Sequence, residues 1–112
     1  MHGTPQQWFS NIMAALGHHG WILEFHRDGY CWRSSKRIVV DPSYDGDLRQ
    51  HILHEVAHID TARFCNNAHN PQFWKHLRYL VKRFLHTDLD EHQQLHETFS
   101  SVGYYGVAYR RW

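Results

Sequence analysis

The chain has 112 residues, 42% apolar and 15% aromatic, enough apolar surface for one folded domain and too much for a disordered segment. Its net charge of +1 gives no global attraction to nucleic acid or to an acidic membrane surface. No apolar run reaches membrane-spanning length, and the two cysteines, Cys31 and Cys65, make no disulfide framework, so a cytoplasmic protein with free thiols is expected.

The first stretch, "MHGTPQQWFSNIMAALG", lacks a basic leader, and Ser10 and Asn11 interrupt its apolar run, which makes it a poor signal peptide. Thr4 followed by Pro5 reads instead as a helix cap with proline at the first helical position. Trp8, Phe9, Ile12, Met13 and Leu16 recur with helical period, and Gly17 and Gly20 end the helix. "WILEFHRDGYCW" reads as a strand, a turn at Asp28 and Gly29, and a second strand; "KRIVVDP" is a third, stopped by Pro42. Three short strands at this spacing predict a small antiparallel sheet.

From about Asp45 to Phe64 the pattern is helical, and Leu48, Ile52, Leu53, Val56, Ala57, Ile59 and Ala62 cover more than one face, so the middle of the helix should be buried. Asn66 and Asn67 mark a loop. Asn70 and Pro71 form another cap, opening a helix with the apolar stripe Phe73, Leu77, Leu80, Val81 and Phe84. Thr87 or Asp88 can cap a last helix that runs through Leu95 to about Phe99, and "GYYGVAYRRW" closes the chain as an aromatic strand or coil. The chain shows no internal repeat or linker, so residues 1–112 are read as a single domain.

The chemistry concentrates in "ILHEVAHI", inside the most apolar helix. Burying polar groups there unpaired would cost about 1–3 kcal/mol each. His54 and His58 are four residues apart, so both imidazoles leave the same helical face and can reach one zinc ion. Glu55 follows the first histidine and can take a proton from a metal-activated water, the logic of H-E-x-x-H zinc hydrolases. A catalytic zinc usually has three protein ligands, so a third must come from elsewhere. The metzincin spacing would place glycine and histidine where Thr61 and Phe64 stand, which excludes that family. His69 is the preferred third ligand, because Pro71 stiffens the turn after it and Phe73 and Trp74 can anchor it against the helix. Glu91, Glu97 and Cys65 are its rivals.

"LHEVAHI" followed by "AHNPQFW" resembles the SprT-like zinc metallopeptidases and their small zincin relatives, as does the preceding "GYCWRSSKRIVVDP". The resemblance covers about Gly29 to Leu80. It implies an α+β, zincin-like fold, in which a small antiparallel sheet packs on an active-site helix with further helices. It also implies a zinc ion, peptide or protein substrates and a third ligand at His69. The family often has glycine after the third histidine; here the residue is Asn70. No zinc-ribbon or basic DNA-binding pattern is legible, so DNA-linked proteolysis is not expected.

Other polar residues have plainer readings. His51 reads as a partly exposed helix histidine and Asp60 as either a ligand-orienting carboxylate or a solvated helix-end charge. Cys65 reads as a small buried thiol. His92 and His96, also four apart, read as the face of a surface helix, and Tyr104, Tyr105 and Tyr109 as packing residues. Lys75, Arg78 and Lys82, with Arg110, Arg111 and Trp112, keep open a nucleic-acid-associated accessory role that the net charge does not support. A non-catalytic metal-binding regulatory module is the other alternative to zinc-dependent peptide hydrolysis.

Overall fold

The computed structural model describes residues 4–26, 30–32, 36–41, 46–62 and 69–101. Helix α1, Pro5–Ala15, begins as the sequence predicts. Thr4 Oγ1 accepts from the Gln7 amide at 3.1 Å, and Gln7 Oε1 accepts from the Thr4 amide at 2.9 Å, a reciprocal box that satisfies two otherwise orphaned donors. Phe9, Ile12 and Met13 form its buried face, and Gly17, at φ +78°, takes the left-handed conformation just past the helix end.

Strands β1 (Ile22–Phe25), β2 (Tyr30–Trp32) and β3 (Arg37–Val40) stand where the sequence places them, but their pairing differs from the antiparallel sheet expected. The sheet is mixed, in the order β1-β3-β2, with β1 parallel and β2 antiparallel to β3. The cause lies in β3. Ile38, Val39 and Val40 are each 0% exposed, so this strand is buried on both faces and takes the centre of the sheet. The chain reverses between β1 and β2 and again before β3, so a central β3 must run parallel to β1. The Asp28–Gly29 turn and Pro42 lie outside the described residues. Arg37 and Glu24, diagonal neighbours across β1 and β3, form an ion pair at 3.1 Å.

Helix α2, Leu48–Asp60, is shorter than the 45–64 span expected. Asp47 caps it, accepting from the Arg49 amide at 2.9 Å; Asp45, Phe64 and the Asn66–Asn67 loop lie outside the described residues. Every residue from Gln50 to His58 is buried, so α2 is the central helix. Helix α3, Pro71–Leu85, is capped by Asn70, whose Oδ1 accepts from the Phe73 amide at 3.0 Å. Phe73, Leu77, Leu80 and Val81 are fully buried, as their stripe predicts. Helix α4, Glu91–Ser101, starts later than Thr87 or Asp88 would place it, because Asp90 is the residue that accepts from the Gln93 amide, at 2.8 Å.

One core joins these elements. Phe9, Ile12 and Met13 from α1, Leu23 from β1, Ile38 and Val40 from β3, the buried apolar residues of α2 and α3, and Leu89 form a single cluster. Polar clamps fix the surrounding pieces. The Asp60 carboxylate, at the end of α2, accepts from His18 Nε2 in the α1–β1 connection and from His76 Nε2 on α3, the latter at 2.7 Å. Burial alone would raise the Asp60 carboxyl, but the bonds from His76 and His18 outweigh it and hold the group below the usual carboxylate range. Among the described residues, no helix is long and apolar enough to cross a membrane.

Candidate metal centre

The two histidines of α2 meet the third at the mouth of α3. His69 Nε2 lies 3.1 Å from His54 Nε2 and 3.1 Å from His58 Nε2, and the three donor atoms all fall within 4.8 Å of one another. Two nitrogens bound to one tetrahedral zinc at 2.0–2.1 Å stand about 3.3 Å apart, so this spacing fits three imidazoles around a single ion. Among the described residues, this is the group of donors that can hold a metal.

Local sequence explains the convergence. His54 and His58 are one turn apart on α2, so helical period alone aims both rings the same way. His69 immediately precedes the Asn70 cap, and Pro71 sets the chain direction there. Trp74, 2% exposed, donates its indole N–H to the His69 carbonyl at 3.1 Å and so pins the backbone that carries the third ring. Phe73 stacks on His58 with ring centroids 4.4 Å apart and meets His69 edge-on at 5.1 Å. The anchoring role expected of Phe73 and Trp74 is therefore what these two side chains perform.

The electrostatics suit a cation. Burial, with neighbouring imidazoles His58, His69 and His96, pushes His54 well below its ordinary pKa, which keeps the ring neutral with a lone pair to offer. Glu55 is 1% exposed, and burial pushes its carboxyl up to about 8. Its Oε2 lies 3.9 Å from His51 Nε2 and accepts no hydrogen bond among the described residues. Burial thus favours the protonated carboxyl in the metal-free protein, and a cation bound nearby would draw the group back to its ionised form.

Of the rivals for the third position, Glu91 and Glu97 stand outside this group. Glu91 is exposed, and Glu97 forms a bidentate pair with Arg78, through Oε2 at 2.8 Å and through Oε1. Cys65, the three tyrosines and the Arg110–Trp112 tail lie outside the described residues. Of the basic stripe on α3, Arg78 is taken up by Glu97, and Lys82 Nζ lies 3.2 Å from Asp88. Asp60 holds His18 and His76, neither of which belongs to the group of three imidazoles.

Two expectations about histidines need correction, and one residue was not foreseen. His51 is 2% exposed, not a partly exposed helix residue, and burial pushes it down to about 3. His96 is 0% exposed and lies at the centre, stacked on His54 at 5.2 Å and 4.5 Å from His69 between ring centroids. Gln93, also 0% exposed, accepts through Oε1 from His54 Nδ1 at 2.8 Å. The sequence does carry a signal for Gln93 and His96. Leu89, just before α4, and Gln93 and His96 on it repeat with helical period, so the buried positions within α4 are polar. A search for apolar stripes alone passes over it.

Comparison of the chain with protein-family models, with curated proteins and with solved structures found no match.

Proposed function

We propose that this chain is a zinc-dependent metallopeptidase of zincin-like, SprT-like type. The observation that carries the reading is the convergence of His54, His58 and His69 Nε2, with the first two on the helix that also buries Glu55. Zinc, when bound there, would polarise a scissile carbonyl and bring the pKa of a water towards about 7. Three neutral imidazoles leave the ion's charge undiminished. Glu55, one residue beyond His54 and so about 100° round the helix, would be drawn back to its ionised form by a bound cation, and would then take the proton from the attacking water and pass it to the leaving amine. A peptide or protein is the substrate, and a sequence with two cysteines and no disulfide framework goes with a cytoplasmic setting.

Replacing Glu55 by Gln keeps the size of the side chain and removes the base. Glu55→Gln is expected to lose peptide cleavage while keeping the zinc content of the wild type. Cleavage by Glu55→Gln at the wild-type rate would overturn this mechanism.

One observation favours a second reading, a metal-binding module without catalysis: His54, Glu55 and His58 are 0%, 1% and 3% exposed. Structural zinc sites are closed, whereas catalytic sites keep an open position. Wild-type protein that binds zinc but cleaves no unfolded protein would select it.

A further inference from the structure

The described metal ligands do not include a residue from α4, yet α4 reaches the centre. Its approach begins at the docking of its first turn onto α2. The Asp90 carboxylate accepts from the Gln93 amide at 2.8 Å through Oδ1 and from the Asp47 amide at 2.9 Å through Oδ2. One carboxylate thus caps α4 and grips the entrance of α2. Gln50, 2% exposed, answers from the other side: its Nε2 donates to the Asp88 carbonyl at 3.0 Å, and its Oε1 accepts from the Asp90 amide at 2.8 Å. Gln93 stands on the first turn of α4, and His54 stands one turn beyond Gln50 on α2. The clamp therefore delivers the Gln93 side chain to His54, where Oε1 meets Nδ1 at 2.8 Å.

Chemistry gives this contact a direction. A neutral imidazole has one N–H and one lone pair, and the hydrogen bond at one nitrogen decides which is which. An amide oxygen only accepts, so it holds the proton on Nδ1 and leaves the lone pair on Nε2. That nitrogen is the one facing His69 Nε2. We propose that Gln93 is a positioning residue of the metal centre, fixing the tautomer and ring angle of His54 for the ion. The proposal rests on the reading of this site as a metal centre. Unlike a carboxylate, which commonly fills such a role, an amide adds no negative charge and leaves the ion a stronger electrophile.

Two readouts test this on the whole chain. The first is the His54 tautomer in metal-free protein, read by long-range proton–nitrogen NMR correlations of the imidazole rings. The second is the zinc dissociation constant, read by chelator competition. Wild type and Gln93→Glu, which keeps an acceptor, should both show His54 protonated at Nδ1. Gln93→Leu should show a mixed or Nε2-protonated ring and bind zinc about 10–100-fold more weakly, while Gln93→Glu binds at least as tightly as wild type. Should Gln93→Leu fail to fold, Gln93→Met serves in its place. A folded Gln93→Leu with the wild-type tautomer and zinc affinity overturns the proposal and leaves the metal centre standing. Wild-type protein that binds no zinc overturns both.

Discussion

The proposed ligand set turns on His69, because α2 supplies only two of the three imidazoles that lie together. His69→Ala should lose most zinc affinity, whereas Glu91→Ala and Glu97→Ala should keep it, since Glu91 is exposed and Glu97 is engaged with Arg78. Zinc stoichiometry of the three variants at equal protein concentration checks this; normal zinc in His69→Ala would move the third ligand elsewhere. At this scale legibility followed locality. His54, Glu55 and His58 were readable because a helix fixes their relation within four residues. His69 was readable because a cap, a proline and two aromatics follow it at once. Gln93 and His96 were not, because their meaning depends on a contact with His54 that spans 39 residues for Gln93. The polar character of their stripe resembles a solvated face until the partner helix is known.

The first turn of α3 positions the third ligand, and so its cap should matter beyond its own stability. Loss of an Asn cap costs about 0.5–2 kcal/mol. Asn70→Ala should therefore lower the melting temperature modestly and also weaken zinc binding. A substitution in the exposed part of α3, such as Arg83→Ala, should leave zinc binding alone. Asp60 at the end of α2 offers the opposite case. Asp60→Asn weakens two charge-assisted bonds that tie the α1–β1 connection, α2 and α3, worth about 1–3 kcal/mol together. It should lower stability and leave zinc stoichiometry at the wild-type value; loss of zinc in Asp60→Asn would contradict the ligand set. Among the described residues, element type was legible from period and caps, while the start of α4 and the ends of α2 fell a few residues from where they were expected. Strand order was not, because alternation and turn residues favour the hairpin of neighbours, whereas burial on both faces put β3 between β1 and β2. The run Ile38–Val39–Val40, apolar without alternation, was the available sign of a central strand.

Across the whole molecule, the metal centre and the core share their residues. His54 meets Phe73 at 4.9 Å and Trp74 at 5.7 Å between ring centroids, and both aromatics belong to the main cluster. An ion held by α2 and the start of α3 would therefore tie two elements of that core, and binding free energy would become folding free energy. With zinc at about a thousand times its dissociation constant, the folded state gains about 4 kcal/mol. Chelation should accordingly lower the melting temperature by many degrees, and added zinc should restore it. The most direct measurement is a crystal structure of zinc-loaded protein with anomalous scattering at the zinc edge. The expected result is one ion at about 2.1 Å from Nε2 of His54, His58 and His69, with the Glu55 carboxylate beside it and Gln93 on His54 Nδ1. No anomalous peak between α2 and α3, or an ion held by other residues, would contradict the account.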